Sequence, residues 1–272
     1  MAQNKQRLDV LLVERGLFPS REQARAAIMA GEVLVNDVKI DKAGTAVSQD
    51  CRIRLLGQRL PYVSRGGLKL AKAISSFGLD LKGKIVLDIG ASTGGFLDCA
   101  LQNGAVKVYG VDVGYNQLAW KLRNDPRVIS LEKTNARYLD RSIIDEDVDL
   151  LTADVSFISL TLALPAAIQY QLKDGGEMAV LIKPQFEAGR EAIGKGGVVR
   201  DKGTHRRVIE KIFAACTEWG LSVRGLDYSP ITGADGNIEY LLYAVKDNVI
   251  SPAGIDIQTI VDQAWAAHYA GN

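Results

Sequence analysis

Two lysines and two acids fall where predicted secondary-structure elements begin or end, and their types suit proton transfer. Lys69 lies in a predicted helix, and Asp154 and Lys183 each end a predicted strand. Glu239 stands at the start of the last predicted strand. A lysine amine acts as a base near neutral pH only when its pKa falls, which burial and a neighbouring positive charge both cause. Taken singly, each residue has a structural interpretation, because charged side chains commonly solvate a surface.

A glycine-rich turn is expected to form the pocket that these four side chains would surround. Residues Lys84 to Phe96 read as an apolar strand that ends at Asp88, then a turn with Gly90, Gly94 and Gly95, then a helix. Glycine is needed where a backbone turns sharply or approaches a ligand closely. The spacing, Asp-x-Gly-x-x-x-Gly-Gly, differs from the Gly-x-Gly-x-x-Gly of a dinucleotide site and is typical of the first motif of methyltransferases that use S-adenosylmethionine.

Asp112 follows the glycine turn at the distance expected of a ribose-binding acid. It ends the second predicted strand, Ala105 to Asp112, and lies twenty-two residues after Gly90. In doubly wound folds, an acid about twenty residues past the turn bonds ribose hydroxyls. A carboxylate only accepts hydrogen bonds, so it suits two hydroxyl donors. The alternative is a turn-forming Asp before Gly114.

Strands alternate with helices from residue 84 onward, which predicts an α/β fold with a parallel sheet covered on both faces. A helix is predicted over His205 to Trp219, and further strands are predicted at Val128–Leu131, Val148–Asp154, Met178–Lys183, Leu221–Tyr228 and Tyr240–Val245. Ligands of such sheets bind outside the carboxyl ends of the strands. Asp154 and Lys183 are therefore expected at the ligand edge.

Charge is unevenly distributed along a chain of ordinary globular composition, 47% hydrophobic and 24% charged. Residues 1–72 carry 13 Lys and Arg against 7 Asp and Glu, a net charge of +6, which leaves 20 against 25, or −5, for the remainder. This asymmetry indicates a polyanion-binding module joined to another domain. The three cysteines and two histidines lack metal-ligand spacing, so no metal is expected. The longest apolar window, Ile158 to Ile168, is too short to span a bilayer.

The first 58 residues read as a small basic module. Ser20 with Gln23 three residues later forms a capping box that predicts a helix start, and alternating residues around Asn36–Asp37 predict a hairpin. Arg21 and Arg25 lie one turn apart and project from one helix face. This order resembles the RNA-binding domain named after ribosomal protein S4, whose basic surface suits phosphate contacts. The alternative is that both arginines merely solvate a helix.

The chain as a whole resembles the TlyA (hemolysin A-like) family of rRNA 2′-O-methyltransferases. Across residues 7 to 245 the resemblance rests on Tyr62–Gly67, Val86–Phe96, Asp112–Asp125, Asp154–Leu160, Lys183–Glu187, Gly196–Asp201 and Gly236–Tyr240. Lys69, Asp154, Lys183 and Glu239 match the Lys-Asp-Lys-Glu tetrad of RNA 2′-O-methyltransferases. The resemblance implies a class I (Rossmann-like) S-adenosylmethionine methyltransferase sheet, FtsJ-like, over residues 64–272. A linker at 59–63 would join it to an α+β S4-like RNA-binding domain at 1–58.

The resemblance also implies roles for individual residues. A ribose hydroxyl would attack the methyl group of a sulfonium, with Lys183 as the base, Lys69 supplying the neighbouring charge and the two acids orienting the amines. The cofactor, S-adenosylmethionine, is expected to contact Ser64, Asp88, Gly90, Ala91, Ser92, Thr93, Gly94, Gly95, Phe96, Asp112, Val113, Asn135, Ala136 and Asp154. RNA is expected to contact Arg7, Arg21, Arg25 and Arg65.

The implied substrate is ribosomal RNA in ribosomal subunits, at cytidines of the large subunit and in some members of the small subunit too. A cytoplasmic protein that binds neither membrane nor metal is expected, with a slight preference for a monomer. Three alternatives stay open: a non-catalytic RNA-binding or assembly factor, a small-molecule methyltransferase, and a membrane-active hemolysin, which would need an amphipathic or spanning segment. The loop Gly189 to Gly203 is expected to contact substrate or to be a flexible connection. The tail Ile250 to Asn272 is given a helix over Ile257 to Tyr269 and no function.

Overall fold

A computed structural model describes residues 5–56, 60–194, 196–247 and 254–269. The chain divides into two compact units, Met1–Leu60 and Pro61–Asn272. Residues 57–59, where the predicted N-terminal domain ends and the predicted linker begins, lie outside the described residues, as do residue 195 of the loop Gly189 to Gly203 and residues 250–253 and 270–272 of the tail. The boundaries proposed for the two domains and their linker therefore stay predictions.

The N-terminal unit combines two helices with short antiparallel strands. Its elements are β1 (Lys5–Arg7), α1 (Leu8–Glu14), α2 (Arg21–Met29), β2 (Val33–Val35), β3 (Val38–Lys39), β4 (Ala46–Ser48) and β5 (Ile53–Leu55). The predicted start of α2 is confirmed, because the Ser20 hydroxyl accepts a hydrogen bond from the backbone N–H of Gln23 at 3.3 Å. The predicted hairpin is confirmed as β2 and β3, which pair antiparallel across Asn36 and Asp37. Leu8, Leu12 and Ile28 are fully buried in this unit's own core.

The second unit alternates strands and helices. It contains α3 (Gly66–Phe77), β6 (Ile85–Ile89), α4 (Gly95–Gln102), β7 (Lys107–Val111), α5 (Trp120–Arg123), β8 (Val128–Leu131), β9 (Val148–Ala153), α6 (Leu160–Ala163), α7 (Pro165–Tyr170), β10 (Leu172–Ile182), α8 (Pro184–Glu187), α9 (Lys202–Glu218), β11 (Leu221–Tyr228), β12 (Tyr240–Lys246) and α10 (Ile257–Tyr269).

A seven-stranded sheet runs through this unit in the order β11-β12-β10-β9-β6-β7-β8. Strands β10, β9, β6, β7 and β8 are parallel to one another, whereas β12 is inserted antiparallel between β10 and β11. This order confirms the predicted α/β class, and the antiparallel β12 is the one strand that departs from a parallel arrangement among the described strands of the sheet. Two buried apolar clusters contain residues from the sheet and its helices, for example Leu87, Leu151 and Ile209 in one and Leu70, Leu97 and Leu181 in the other.

Two elements begin earlier than predicted. Helix α9 begins at Lys202 because the carboxylate of Asp201 caps it, accepting from the backbone N–H of Thr204 at 2.7 Å. Strand β10 begins at Leu172, because it pairs with β9 both before and after a register shift that lies between Leu172 and Glu177. Among the described residues, no helix has the length and apolarity to cross a membrane.

Candidate active site

The structure brings the four predicted catalytic side chains into contact. The Lys69 amine donates a hydrogen bond to Asp154 Oδ2 at 3.0 Å and lies 2.7 Å from Glu239 Oε2. The Lys183 amine lies 2.6 Å from Asp154 Oδ1, the other oxygen of the same carboxylate. Asp154 therefore bridges two lysines. Both lysine side chains are nearly buried, 9% and 8% exposed, and that of Glu239 is 2% exposed.

Electrostatics favour the charged forms of Lys69 and Asp154. Burial acts to lower the pKa of Lys69, but the carboxylates of Asp154 and Glu239 outweigh it and raise that pKa above its ordinary value. Burial acts to raise the pKa of Asp154, but the two ammonium groups outweigh it and hold that pKa below its ordinary value. Lys69 thus carries a fixed positive charge on one side of Asp154, with Lys183 on the other.

Helix α3 is held in place on both sides of Lys69. Lys72, one turn further along, donates to Asp227 Oδ1 at 3.0 Å, and the Ser76 hydroxyl donates to Asp227 Oδ2 at 2.6 Å, which attaches the helix to β11. At its start, Gly67 packs so closely on Tyr62 that a Cβ would collide with the ring. These contacts fix the direction in which Lys69 reaches Asp154.

The segments that carry Asp154 and Lys183 are tied together by Glu187 at the end of α8. Its carboxylate accepts from the Ser159 hydroxyl and from the backbone N–H of Leu160, each at 2.6 Å, and from the Lys211 amine at 3.2 Å. The Glu187 side chain is only 1% exposed. It links the first turn of α6, which follows Asp154, to the helix that follows Lys183.

A cavity of about 350 Å³ opens onto these four residues and the glycine turn. Gly90 has a φ of +85°, and a Cβ there would lie 2.9 Å from the backbone oxygen of Asp154. At Gly95 a Cβ would lie 2.8 Å from the backbone nitrogen of Gly67. Other predicted residues along this wall are Ser64, Arg65, Asp88, Ala91, Ser92, Thr93 and Phe96. The predicted role of the glycines in close backbone approach is consistent with these distances.

A second cavity, of about 370 Å³, shares Gly90, Ser92, Asp154 and Ser156 with the first. It is lined by the predicted residues Asp112, Val113, Asn135 and Ala136. Asp112 Oδ2 accepts from the backbone N–H of Ser92 and Oδ1 from that of Gly114, both at 2.7 Å. Each carboxylate oxygen has a second lone pair, so Asp112 can still accept two hydroxyl protons. The two cavities together fit a nucleoside with a charged tail.

Asp88 is a buried carboxyl beneath the first cavity, 1% exposed. The Thr152 hydroxyl donates to its Oδ1 at 2.7 Å. Burial, reinforced by the charges of Asp154 and Asp112, raises the pKa of Asp88 to about 8, although the hydrogen bond from Thr152 opposes that rise. The group is therefore mostly neutral near pH 7.

Three predicted RNA-binding residues belong to the N-terminal unit. Arg7 and Arg21 both contact the buried carboxylate of Asp9, at 2.9 Å and 3.1 Å, so part of their hydrogen-bonding capacity supports the fold. Their side chains are still about half exposed, and Arg25 is exposed too. Arg65 lines the first cavity of the second unit.

Several residues at the site have no role predicted from the sequence. Ser156 accepts a hydrogen bond from Lys183 at 3.0 Å, and Ile231, Thr232 and Gly233 form a wall of the first cavity. Phe157 is 91% exposed at a φ of +64°, with its ring centroid 5.1 Å from that of Phe186. Ser156 and Phe157 could have been found from their place two and three residues after Asp154. No sequence signal marks residues 231–233. Within the described ranges, no group of three or more His, Cys, Asp or Glu side chains is placed to hold a metal ion.

Known proteins with similar sequences or structures were compared with this chain. A family model described as FtsJ-like methyltransferase matches residues 62–246, and an S4 domain model matches residues 6–51. The candidate rRNA methyltransferase YqxC of Bacillus subtilis is 52% identical over 89% of this chain and 86% of that protein. The 16S/23S rRNA (cytidine-2'-O)-methyltransferase TlyA of Mycobacterium tuberculosis is 42% identical over 92% of this chain and 94% of that protein. The solved structure of a candidate hemolysin from Streptococcus thermophilus shares 48% identity, with a TM-score of 0.75 over 98% of both chains.

Proposed function

This chain belongs to the FtsJ-like methyltransferase family, as predicted, and from that premise we propose that it methylates the 2′-hydroxyl of ribose in ribosomal RNA. The observation that carries the proposal is the Lys69–Asp154–Lys183 bridge at the wall of a cavity lined by the glycine turn. The relative from M. tuberculosis, which is named for cytidine 2′-O-methylation of 16S and 23S rRNA, supports cytidine as the target.

We assign S-adenosylmethionine to the two connected cavities. When bound, it supplies an electrophilic methyl group carried by a sulfonium. Asp112 would accept hydrogen bonds from the ribose hydroxyls, and Val113, Asn135 and Ala136 would surround the adenine. Ser64, Asp88 and the turn would hold the charged end of the cofactor, since they line the first cavity; the turn residues that do so are Gly90, Ala91, Ser92, Thr93, Gly95 and Phe96. Gly94, also predicted to contact the cofactor, does not line it.

Lys183 is the proposed base. As the oxygen–methyl bond forms, the methyl–sulfur bond would break and the sulfonium would leave as a neutral thioether. The proton of the ribose hydroxyl would pass to the Lys183 amine, which must be neutral beforehand. Lys69, held charged between Asp154 and Glu239, shares the Asp154 carboxylate with Lys183. Asp154 fixes the direction of the Lys183 amine, and Glu239 holds Lys69. General-base assistance of this kind contributes about 10²–10⁴-fold to a rate.

The N-terminal unit is proposed to dock on folded ribosomal RNA. It matches the S4 domain model, and Arg7, Arg21 and Arg25 expose cationic groups suited to phosphate contacts. Arg65 would contact RNA at the mouth of the first cavity. The substrate is proposed to be a ribosomal subunit, or its rRNA, in the cytoplasm.

The test is methyl transfer from S-adenosylmethionine to purified ribosomal subunits, with methylated riboses mapped by mass spectrometry. Lys183→Ala is expected to lower kcat at least about 100-fold with cofactor affinity nearly unchanged, because the base is lost and the cofactor's proposed contacts are kept. Lys173→Ala is the matched control, since Lys173 is about half exposed and pairs with Asp149 away from both cavities. A wild-type protein that leaves rRNA unmethylated would refute the function, and full activity of Lys183→Ala would remove the base role.

A further inference from the structure

The connection between β11 and β12, residues 229–239, forms one wall of the first cavity and is named the acceptor loop here. Ile231, Thr232 and Gly233 line the cavity, and the loop ends at Glu239. Glu239 passes directly over Gly233, where a Cβ would collide with its carboxylate. The position of this loop therefore sets the position of the carboxylate that contacts Lys69 at 2.7 Å.

Hydrogen bonds within the acceptor loop close its two ends on each other. The backbone N–H of Ser229 donates to the Glu239 carbonyl at 2.9 Å, and that of Gly233 donates to the Asn237 carbonyl at 2.8 Å. The Ser229 hydroxyl donates to the Ile231 carbonyl at 2.6 Å. These bonds define the shape of the loop, but they do not attach it to the rest of the unit.

Asn237 attaches the loop to the segment before α9, because its amide nitrogen donates to the Gly197 carbonyl at 3.0 Å and its Oδ1 accepts from the backbone N–H of Val199 at 3.2 Å. Two consecutive side chains at the end of α10 make a further attachment. His268 Nε2 donates to the Ser229 carbonyl at 2.8 Å, so this ring nitrogen carries the proton. The Tyr269 hydroxyl donates to the Gly236 carbonyl at 2.9 Å. One contact holds the start of the acceptor loop and the other holds its tip.

Helix α10 is itself fixed to the body of the unit. Val261 and Ala264 are fully buried, and the Lys202 amine lies 2.5 Å from Asp262 Oδ1. The Trp265 ring lies edge-on to His205 and to Tyr269, with centroids 5.7 Å and 5.0 Å apart. A helix anchored in this way can transmit rigidity to the carbonyl groups that its last turn holds.

We propose that His268 and Tyr269 are positioning residues of the methyltransferase site. Through them, α10 fixes the acceptor loop and so keeps the Glu239 carboxylate in contact with Lys69. The two hydrogen bonds from His268 and Tyr269 to the acceptor loop are called the clamp here. The inference rests on the proposed function for its effect on rate, whereas the clamp can be tested without any assumption about activity. A misplacement of about 1 Å in an active site can cost about 100-fold in rate. The clamp would act where the first cavity meets Lys69 and Glu239, since the acceptor loop lines that cavity and not the second one, to which the nucleoside of the cofactor is assigned.

Three substitutions separate the clamp from a general loss of folding. Tyr269→Phe removes only the hydroxyl and keeps the ring against Trp265. His268→Leu removes the donor, whereas His268→Gln keeps an N–H at the end of a side chain of similar reach. Tyr170→Phe is the control, because Tyr170 ends α7 and lines neither cavity.

The primary measurement is hydrogen–deuterium exchange of the peptide that covers residues 229–239, which needs no substrate. We expect His268→Leu combined with Tyr269→Phe to speed this exchange about tenfold or more, with β6 and β9 unchanged, because two hydrogen bonds that oppose local opening are removed. Tyr269→Phe alone should give a smaller increase, and His268→Gln in place of His268→Leu should restore slow exchange. Unchanged exchange in the double variant would overturn the proposal.

The rate of rRNA methylation is the second measurement. The double variant is expected to lose about tenfold in kcat while KM for S-adenosylmethionine stays unchanged, and His268→Gln should recover most of the loss. If the double variant opens the loop but keeps the wild-type kcat, the positioning role is wrong. If the wild-type chain methylates no rRNA, the proposed function fails instead, and the exchange measurement still decides whether the clamp exists.

Discussion

At the scale of single residues, the site contains two buried aspartates with different surroundings, one in contact with lysine amines and one without a cation beside it. Asp154 is bracketed by two lysine amines at 3.0 Å and 2.6 Å, and its charge is therefore favoured despite burial. Asp88 lies nearby with a single hydrogen bond from Thr152, and burial raises its pKa to about 8. The same residue type is thus charged or neutral at pH 7 according to whether a cation contacts it.

Asp88 should make the stability of the protein depend on pH. An unfolded aspartate releases its proton near about pH 4, whereas folded Asp88 keeps its proton until about pH 8. The folded chain binds more protons in that interval, so the free energy of unfolding falls as the pH rises. Asp88→Asn cannot ionise and keeps an oxygen for the Thr152 hydroxyl. From pH 7 to pH 8 the wild type should lose about 1 kcal/mol more than the variant in urea unfolding. Equal losses would contradict a raised pKa.

At the scale of elements, the proposed catalytic side chains depend on close approaches between segments distant in sequence. A Cβ on Gly95, the first residue of α4, would lie 2.8 Å from the backbone nitrogen of Gly67. The segment that leads into α3 is held further by Asp98, whose Oδ2 accepts from the backbone N–H of Val63 at 2.8 Å. Helix α3, which carries Lys69, is therefore packed directly against the glycine turn.

Gly95→Ala should weaken cofactor binding, because the added methyl group must displace either the turn or the start of α3. We expect the Kd for S-adenosylmethionine, measured by calorimetry, to rise about tenfold or more. Gly254→Ala is the matched control, because a Cβ there meets no atom within 4 Å. An unchanged Kd for Gly95→Ala would show that the turn can relax without affecting the cofactor site.

Glu187 should contribute to stability in proportion to its buried hydrogen bonds. Its carboxylate accepts from Ser159, Leu160 and Lys211, and Glu187→Ala leaves the buried Leu160 N–H without that acceptor. The free energy of unfolding is expected to fall by about 2–4 kcal/mol. Glu210→Ala, which removes an exposed pair with Arg206, should cost less than about 1 kcal/mol. Similar losses in the two variants would mean that Glu187 is no more than a surface charge.

At the scale of the whole molecule, features that depend on neighbouring residues could be predicted from the sequence more fully than features that depend on long-range packing. The capping box at Ser20, the strand β8 and the helix α10 depend on neighbouring residues, and the structure has all three at the predicted positions. The meeting of Asp154 with Lys183 followed from parallel strands that end along one edge of the sheet. The wall formed by residues 231–233 was not predicted, because it depends on the insertion of β12 between β10 and β11.

The function of α10 was missed for the same physical reason. The helical spacing of Ile257 to Tyr269 was visible, but the acceptors of His268 and Tyr269 are backbone carbonyls 39 and 33 residues away. Backbone carbonyls carry no sequence signature, so a clamp made to them is readable only from the fold. The pairing of Arg7 and Arg21 with Asp9 is a similar case, in which cations expected to contact RNA also support a core.

The chain divides into two units, each with its own buried core, so the contribution of the N-terminal unit to RNA affinity can be predicted separately. The fragment 61–272 should fold and bind S-adenosylmethionine with the Kd of the full chain, since both cavities are lined by residues of that unit alone. Its affinity for ribosomal subunits should fall. The salt dependence of binding should also become shallower, by roughly 0.7–0.9 for each phosphate that the fragment no longer neutralises.

Fluorescence anisotropy with labelled rRNA at several salt concentrations measures both quantities, and Arg25→Glu in the full chain provides a milder version of the same change. A folded fragment that keeps full affinity and the same salt slope would show that the N-terminal unit does not dock on RNA. Loss of cofactor binding in the fragment would instead show that the second unit depends on the first for its own structure.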